Sequence, residues 1–552
     1  MSDRLKYSLL FAILGALFFI PFLGGVHLFD WDEINFAEIS REMLIKKDYL
    51  RVYVNFEPFW EKPPFFFWLQ ALGMSMFGVG EFAARLPNAL CGVLTLVVLF
   101  NMGKTLYNCR FGFIWAGTYL GSVLPFLYFK SGIIDPWFNL FIFLGLYFFI
   151  LAYWKRAGFK NIYLPKNQWI YLLLGGFFIG MGILTKGPVA FLIVALTAGV
   201  YWIYKRFRFY VNVPQFLFFT IVACAIAAIW YTLFFLDQFE KFNDYQYRLF
   251  STPDAGHKGF PGYHFAILLV GCFPSSIFAI RSFFKMDKEE LLHQQDFKTW
   301  MKFLFWVVLI LFSIVQSKIV HYSSMCYFPL TFLAALVVNH ILDKKVAFNG
   351  WLKAGLWTIG GLYLIAVFVL PFAGLNIEML KPLFAKDPFA MANLEANVNW
   401  KSWEVFLPGI ILLLTLIFAT HHISRNRAER GFRILFGGIA IFVMATLIGF
   451  IGRIERYSQN AAVEFFQSKA TEDCYVATYS YKSYVHLFYG QPKKQGDACF
   501  QDSECTNRLL HEPLNKPAYI VTKIHKAKEL ENILGLQEVG RKNGFVFYKR
   551  EP

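Results

Sequence analysis

The sequence predicts a polytopic α-helical membrane protein that carries a small soluble α/β domain at its C-terminal end. Of its 552 residues, 57% are hydrophobic and 20% are aromatic, and the mean hydropathy is +0.46. This composition is too apolar for a soluble protein of this length. Windows of about 20 apolar residues, the length that crosses a bilayer core, recur from residue 7 to residue 452 and then stop.

About 13 windows are apolar enough to be membrane spans. They cover residues 7–26, 84–104, 112–129, 133–153, 169–185, 187–204, 215–236, 263–282, 301–316, 321–341, 352–373, 404–421 and 432–452. The span 301–316 and the pair that meets at Gly187-Pro188 could each be merged or split, because a Gly-Pro step can kink a helix as well as end it.

The basic residues predict the orientation, since they favour the cytoplasmic side of short loops. With the N-terminus inside, the clusters that fall on the cytoplasmic side are Lys155-Arg156, Lys205-Arg206-Arg208, Arg281-Lys285, Lys344-Lys345 and Arg425-Arg427-Arg430. These loops account for most of the formal charge of +16, which indicates anionic lipids and not nucleic acid as partners. The first long loop, about residues 27–83, is then on the outer side, as is the chain after residue 453.

The chain is predicted to divide into a membrane part, residues 1–452, and an outer soluble α/β domain, residues 453–552. Helix-like and strand-like patterns alternate in this domain; the helices are expected at 461–469 and 526–534 and the strands at 474–479, 518–522 and 545–548. Its cysteines, Cys474, Cys499 and Cys505, permit one disulfide and leave one thiol over. It has no catalytic motif, so we expect a lid or docking domain.

A polar island in the first outer loop is the first place to look for chemistry. It begins with Asp30-Trp31-Asp32-Glu33 and ends with Glu61-Lys62-Pro63-Pro64. Carboxylates are costly beside hydrocarbon and usually mark function there. Between these two motifs, residues 34–45 have the pattern of an amphipathic helix, and residues 65–77 form an aromatic segment; both are expected to lie along the membrane surface.

Three carboxylates meet the outer interface: Asp32 and Glu33 after the first span, and Asp135 at the start of the fourth. In such a place a carboxylate can act as a base, or can stabilise positive charge on a sugar-like transition state. Asp135 precedes a proline and could equally cap a helix. For Asp32 with Glu33 the pattern favours a catalytic site.

Lys62 is the first candidate for binding a phosphate, because the two prolines after it hold it in a defined place and its amine is a compact charge. The alternative is an interfacial anchor that extends its amine to the water. Arg85 and Lys318 are further candidates, and Tyr322 supplies a phenol in the same outer turn as Lys318.

A divalent metal such as zinc is a further hypothesis. Glu61, His257 and His321 are the candidate ligands, although their separation in sequence gives no ligand-spacing signature. Phosphate-loop, dinucleotide and nucleophile-elbow motifs are absent from the sequence, so no nucleotide cofactor is expected. An enzyme acting on the outer face needs an activated donor that reaches that face, and a lipid-linked phosphosugar meets this need.

The polar island also resembles a known family. Trp31-Asp32-Glu33, the run Ala37-Glu38-Ile39-Ser40-Arg41-Glu42-Met43 and Glu61-Lys62-Pro63 are similar to the corresponding motifs of the bacterial lipid A aminoarabinose transferases. Those enzymes belong with the protein O-mannosyltransferases to the multi-span GT-C glycosyltransferases. The resemblance is strongest over residues 29–90, and Asp135-Pro136 and Thr185-Lys186-Gly187-Pro188 also fit it.

The resemblance implies a GT-C fold and a polyprenyl-phosphate sugar donor. It implies that Asp32 is the catalytic carboxylate and that Lys62 contacts the phosphate. Lys318 and Tyr322 correspond by their Lys-x-x-x-Tyr spacing, although the family's proline and threonine within this turn are replaced by Val320 and His321. Glu61 and His257 match positions that are associated with a metal in the lipid A enzymes.

We therefore expect an inverting glycosyltransferase in a bacterial inner membrane, with its active site and soluble domain in the periplasm. The sugar, for which the resemblance makes 4-amino-4-deoxy-L-arabinose a candidate, would pass from undecaprenyl phosphate to lipid A or a related acceptor. Asp32 would act as a base for a hydroxyl acceptor, or would orient a reactant if the acceptor is a phosphate. A protein O-mannosyltransferase is one alternative. A flippase for lipid-linked sugars is another, which the clustering of charge at one interface argues against.

Overall fold

The computed structural model describes residues 3–234, 247, 259–286 and 291–552 as a bundle of helices followed by a mixed sheet. The helices are α1 Asp3–Phe19, α2 Asp32–Lys46, α3 Phe65–Phe77, α4 Glu81–Leu106, α5 Cys109–Leu120, α6 Val123–Tyr128, α7 Asp135–Arg156, α8 Gln168–Lys186, α9 Val189–Tyr204, α10 Val213–Phe234, α11 Tyr263–Gly271, α12 Ser275–Arg281, α13 Leu292–Ile314, α14 Tyr327–Leu342, α15 Gly350–Leu375, α16 Ile377–Leu380, α17 Pro388–Asn393, α18 Leu407–Ser424, α19 Ala428–Thr446, α20 Gly452–Glu455, α21 Asn460–Gln467, α22 Val485–Phe488 and α23 Ser503–His511. The strands are β1 Tyr53–Val54, β2 Glu57–Pro58, β3 Tyr475–Tyr479, β4 Ala498–Cys499, β5 Ala518–Lys523, β6 Leu536–Lys542 and β7 Phe545–Arg550.

The multi-span membrane character is confirmed, because each predicted apolar window overlaps helical segments in the described part of the chain. Within the described residues, eight helices are long and apolar enough to cross a bilayer, or nine if one bent pair counts as a single span. The windows 112–129 and 263–282 are each broken into two helices, and the second pair is bent by 113°. The prediction of about 13 spans therefore depends on counting broken and short helices, of which α9 is an example.

The first outer loop folds into the two expected helices, and α2 is buried within the protein. Its side chains from Glu33 to Met43 are all buried. Arg41 pairs with Glu38 at 2.6 Å and donates to the carbonyl oxygen of Pro492 in the C-terminal part of the chain. The polar side chains of α2 are therefore covered by protein, in part by the domain after residue 453. The membrane-surface position expected for residues 34–45 stays a prediction.

That domain is built on a five-stranded sheet with the strand order β4-β3-β5-β7-β6. The three predicted strands are present, but β6 was missed because its side chains are mostly polar and exposed at the sheet edge. Of the segment 526–534, only the beginning is helical, as part of a 3-10 turn over Ile524–Glu529. Cys499 and Cys505 form the disulfide, and Cys474 is a buried free thiol. The domain division at residue 452 stays a prediction.

Hydrogen bonds join the chain around Asp30 to the C-terminal domain. The backbone N–H of Leu28 donates to Tyr489 Oη at 2.8 Å, and that of Asp30 donates to Gln459 Oε1 at 3.1 Å. In return, the N–H of Tyr484 donates to Asp30 Oδ1 at 3.2 Å. One hydrophobic cluster also contains side chains from α2, α3 and the sheet. The first outer loop and the C-terminal domain therefore share a core.

A buried ion pair anchors the start of α2 to α4. Arg85 Nε and Nη2 donate to the two carboxylate oxygens of Glu33 at 3.0 and 2.8 Å. Glu33 also accepts from the N–H groups of Phe29 and Gly132, and Arg85 also donates to three carbonyls of the segment 23–27. Burial acts to raise the pKa of Glu33, but the Arg85 charge and these hydrogen bonds outweigh it, so the pKa lies below its ordinary value.

Asp30→Asn is expected to stabilise the protein above pH 6. Burial raises the pKa of Asp30 to about 6, so the folded state binds this proton more tightly than the unfolded chain does. The resulting stability is complete below pH 4 and is lost as the pH rises through 6. The rise in the pKa of Asp30 from 3.8 to about 6 corresponds to roughly 3 kcal/mol of folding stability at most. Asparagine cannot ionise, so the variant does not lose this stability as the pH rises. The melting temperature measured from pH 4 to pH 8 checks this.

Asp48→Asn is the matched control, in the same loop. Asp48 accepts hydrogen bonds from two backbone N–H groups and from Tyr53 Oη, and these bonds outweigh its partial burial and hold its pKa below the ordinary value. Its replacement should lower the melting temperature at neutral pH. If Asp30→Asn followed the wild-type curve over the whole pH range, the buried ionisation of Asp30 would be disproved.

Arg85→Ala is expected to lower stability and not to cause a selective loss of activity. It leaves the Glu33 carboxylate buried without a cation, which costs about 3–5 kcal/mol. The double variant Glu33→Gln with Arg85→Met removes both charges and should recover part of the loss. Thermal unfolding of the purified variants measures both effects. A single variant that melts like the wild type but is inactive would instead favour a direct role in the reaction.

Candidate functional site

Polar side chains from five segments meet at one end of the bundle, around the start of α7. We call this group the outer cluster; its members are Asp32, Glu61, Lys62, Asp135, Lys186, His321 and Tyr322. Asp32 begins α2, Asp135 begins α7 and Lys186 ends α8. The others lie in the loop before α3 and in the 3-10 helix Val320–Cys326, which leads into α14.

Two of the three carboxylates of the outer cluster, Asp32 and Asp135, lie on either side of a histidine. Lys186 Nζ donates to Asp135 Oδ1 at 2.5 Å. His321 Nε2 lies 3.8 Å from Asp135 Oδ2 and 3.5 Å from Asp32 Oδ2. The side chain of Asp135 is only 5% exposed, whereas that of Asp32 is 44% exposed. Asp135 is therefore a buried partner of Lys186, and Asp32 is the carboxylate that a substrate can reach.

Local structure explains how Asp135 and His321 are brought together. Asn139 lies one helical turn after Asp135, and its side-chain amide donates to Ser324 Oγ at 2.8 Å. Ser324 belongs to the same 3-10 helix as His321. This bond ties that helix to α7, so the histidine is held beside the carboxylates. Asp135 does not act as the helix cap that the sequence also allowed: the N-cap residue is Ile134, and the Asp135 carboxylate bonds to Lys186 instead.

Lys186 was missing from the sequence-based site. α8 ends at this residue because Gly187 follows with a φ of 101°, which favours glycine, and Pro188 cannot continue the helix. The signal was available, since Thr185-Lys186-Gly187-Pro188 puts a cation at the outer end of an otherwise apolar helix. Its partner Asp135 is 51 residues away, and no sequence pattern indicates that the two form a pair.

Lys62 lies in the electrostatic field of the whole outer cluster. Burial lowers the pKa of Lys62 and the charge of Lys186 lowers it further, while the nearby carboxylates of Glu61, Asp32 and Asp135 act in the opposite direction. The net result is a pKa below the ordinary lysine value. A buried amine beside a second lysine favours an additional anion, which fits the predicted phosphate contact.

Some predicted site residues are not brought to the outer cluster. Glu33 and Arg85 are engaged with each other in the ion pair between α2 and α4. Lys318 Nζ donates to carbonyl oxygens at the end of α13, among them those of Ser313 at 2.7 Å and Val315 at 2.5 Å. In this position Lys318 caps a helix end. Tyr322 does lie in the cluster, with its ring centroid 5.2 Å from Lys186 Nζ.

The metal hypothesis stays a prediction. His257 lies outside the described residues, and within the described ranges no group of three His, Cys, Asp or Glu side chains is placed to hold an ion. Glu61 and His321 alone make an incomplete ligand set, so the reaction steps proposed for this chain involve only its side chains. Elemental analysis of the wild type and of Glu61→Ala would test the hypothesis directly.

The C-terminal domain also reaches the outer cluster, through a contact that sequence reasoning missed. Lys482 Nζ lies 4.7 Å from the centre of the Trp31 ring, which is 45% exposed. Trp31 directly precedes Asp32, so this contact brings a cation of the C-terminal domain to the residue before the accessible carboxylate. This contact fits the prediction of a lid domain.

The comparisons with known proteins agree in both sequence and fold. Residues 61–232 match the family described as dolichyl-phosphate-mannose-protein mannosyltransferase. An undecaprenyl phosphate-alpha-4-amino-4-deoxy-L-arabinose arabinosyl transferase of Pectobacterium carotovorum is 24% identical over 432 residues, which cover 73% of this chain and 71% of that protein. A protein of the same name from Pseudomonas aeruginosa is 26% identical over 71% of this chain and 69% of its own length.

Among solved structures, the chain is similar to ArnT from Cupriavidus metallidurans bound to undecaprenyl phosphate. The TM-score is 0.74 at 18% identity, and the match covers 99% of this chain and 98% of that one. The apo form of the same protein gives a TM-score of 0.73. The GT-C fold predicted for the membrane part is thereby confirmed. The chain is a multi-span membrane protein of the GT-C fold that is similar in sequence to the aminoarabinose transferases.

Proposed function

We propose that the chain transfers a sugar from undecaprenyl phosphate to lipid A or a related acceptor, at the periplasmic face of a bacterial inner membrane. The observation that carries the proposal is the outer cluster, where two lysines and three carboxylates meet at one end of the bundle. The names of the relatives support the donor, and 4-amino-4-deoxy-L-arabinose is the sugar that they name. The predicted loop orientation puts this end of the bundle outside the cytoplasm.

Lys62 has the central role in donor binding. The reaction breaks the bond between the sugar C1 and the phosphate oxygen, and the electron pair stays on the phosphate. Negative charge therefore grows on the undecaprenyl phosphate as it leaves. Lys62 stabilises that charge, and Lys186, held by Asp135, adds to the positive potential. Because Lys186 is held by Asp135 before the substrate arrives, little reorganisation of this cation is needed during the reaction.

Asp32 acts on the acceptor side. The acceptor oxygen attacks C1 from the face opposite the departing phosphate, which inverts the configuration. For a hydroxyl acceptor, Asp32 takes the proton, and His321 at 3.5 Å positions its carboxylate. For a phosphate acceptor there is no proton to remove, and Asp32 instead orients a reactant. Lys482 and Trp31, beside Asp32, are placed to contact the acceptor when the C-terminal domain covers the site.

A protein acceptor is the second candidate, because the family that matches residues 61–232 is named for transfer of mannose to protein. A glycopeptide product in place of a glycolipid would favour it. A lipid-linked sugar flippase is the more distant alternative. Its mark would be transport of the intact donor across the membrane without release of undecaprenyl phosphate.

Asp32→Asn and Lys62→Ala are each expected to reduce transfer by at least a hundredfold. The first removes a base or an orienting charge, and the second removes a cation from the leaving phosphate; losses of about 10²–10⁴ are typical for such groups. The assay follows release of undecaprenyl phosphate and formation of glycolipid by the reconstituted protein. Melting temperatures near that of the wild type would show that both variants are folded.

Two exposed residues of the same loop provide the matched controls. Lys47→Gln and Glu57→Gln remove the same kinds of charge away from the outer cluster and should leave transfer within about twofold of the wild type. If Asp32→Asn or Lys62→Ala turned over at a rate similar to these controls, the proposed roles would be wrong.

The pH profile of kcat/KM is expected to fall on its alkaline side below the ordinary lysine pKa of about 10.4. The lysine must be protonated to bind phosphate, and burial together with the neighbouring Lys186 lowers the pKa of Lys62. Binding is therefore lost at a lower pH than for an exposed lysine. Lys62→Arg keeps its charge in this range, so its alkaline limb should move to higher pH. An unchanged limb would assign the titration to another group.

A further inference from the structure

A charged cavity lies at the end of the bundle opposite the outer cluster. Its volume is about 980 Å³. It is lined by the end of α14, the end of α18 and the start of α19, together with the start of α5. The continuous helical segment Val320–Leu342 has His321 at one end and this cavity at the other. Its 23 residues span roughly 34 Å at 1.5 Å per residue, which is about the thickness of a bilayer core.

The charge of this cavity is strongly positive. Five basic side chains line it: Arg110, Lys344, Arg427, Arg430 and Arg433. Arg433 pairs with Glu429, the one acid in the lining, and Arg110 pairs with Asp343 at 2.5 Å. In the part of the chain that the structure describes, no carboxylate pairs with Lys344, Arg427 or Arg430. Three positive charges therefore face one cavity without neutralisation.

Two further features suit an anionic lipid. Part of the cavity wall is apolar, formed by side chains such as Leu342, Val346 and Phe348. In addition, α19 begins at Ala428 in the lining, so the positive end of its helix dipole adds to the potential. A wall that is apolar on one side and cationic on the other matches the junction between the acyl chains and the headgroup of a phospholipid.

We propose that this cavity binds the headgroup of an anionic phospholipid on the cytoplasmic side, with its phosphodiester held by Lys344, Arg427 and Arg430. The tendency of basic residues to lie on the cytoplasmic side explains why the charge is positive. It does not explain why several of these residues line one common cavity. Exposed loop residues such as Arg208 and Arg425 serve that tendency without lining this cavity. The site is separate from the proposed transfer chemistry, and its test does not depend on that chemistry.

The test measures lipid retention by native mass spectrometry on purified protein. Phosphatidylglycerol, cardiolipin and the zwitterionic phosphatidylethanolamine are offered in equal amounts. The wild type should retain the two anionic lipids in preference. Arg427→Gln with Arg430→Gln should reduce this retention about tenfold. The matched control, Arg208→Gln with Arg425→Gln, loses the same charge outside the cavity and should change retention less than twofold.

Three results would overturn the proposal. These are an equal loss of retention in both double variants, an absence of preference for the anionic lipids, and displacement of bound lipid by millimolar inorganic phosphate, which would indicate a site for the free ion. Melting temperatures in phosphatidylethanolamine alone show whether the variants are folded. If the cavity double variant does not fold, Lys344→Gln and Arg430→Gln, each tested singly, take its place, with a retention loss of about threefold expected for each.

Discussion

The ion pair between Glu33 and Arg85 is the contact on which the outer end of the molecule depends. A carboxylate beside the hydrocarbon must be paired or it destabilises the fold, and Glu33 is paired with a guanidinium whose remaining donors bond to backbone carbonyls. This pair fixes the first turn of α2 against α4. The adjacent Asp32 is therefore held at the opposite edge of that turn, 44% exposed and 3.5 Å from His321. Of these two neighbouring carboxylates, Glu33 therefore stabilises the fold and Asp32 is accessible to a substrate.

The same division between structural and reactive charge runs through the rest of the site. Glu38 and Arg41 pair beneath the C-terminal domain and hold α2 in its buried position. Asp135 holds Lys186 by an ion pair, and the charge of Lys186 in turn lowers the pKa of Lys62. The C-terminal domain shares a hydrophobic core with the first outer loop. The interface between them therefore both covers the outer cluster and stabilises it. The residues that carry the family resemblance are in large part this interface.

The sequence was sufficient for the architecture and for several residues of the site. Hydrophobic periodicity located the helices of the membrane part, including α3 at residues 65–77, because a lipid-facing or core-facing helix must be apolar over a fixed length. The surroundings of α2 could not be predicted, since its cover is supplied by residues more than 400 positions away. The pairing of Lys186 with Asp135 was missed because the two residues are 51 positions apart and lie in different helices. The edge strand β6 was not recognised because its side chains are mostly polar and exposed. Choosing between Lys318 as a phosphate ligand and as a helix cap likewise required the three-dimensional position of its amine.

The most direct test of the outer cluster as the donor site is an experimental structure of the protein with undecaprenyl phosphate. The phosphate is expected within hydrogen-bonding distance of Lys62, close to Lys186, with the prenyl chain running between helices toward the membrane core. A phosphate bound instead by Lys318 or Arg85, with the outer cluster unoccupied, would contradict the assignment of the donor site.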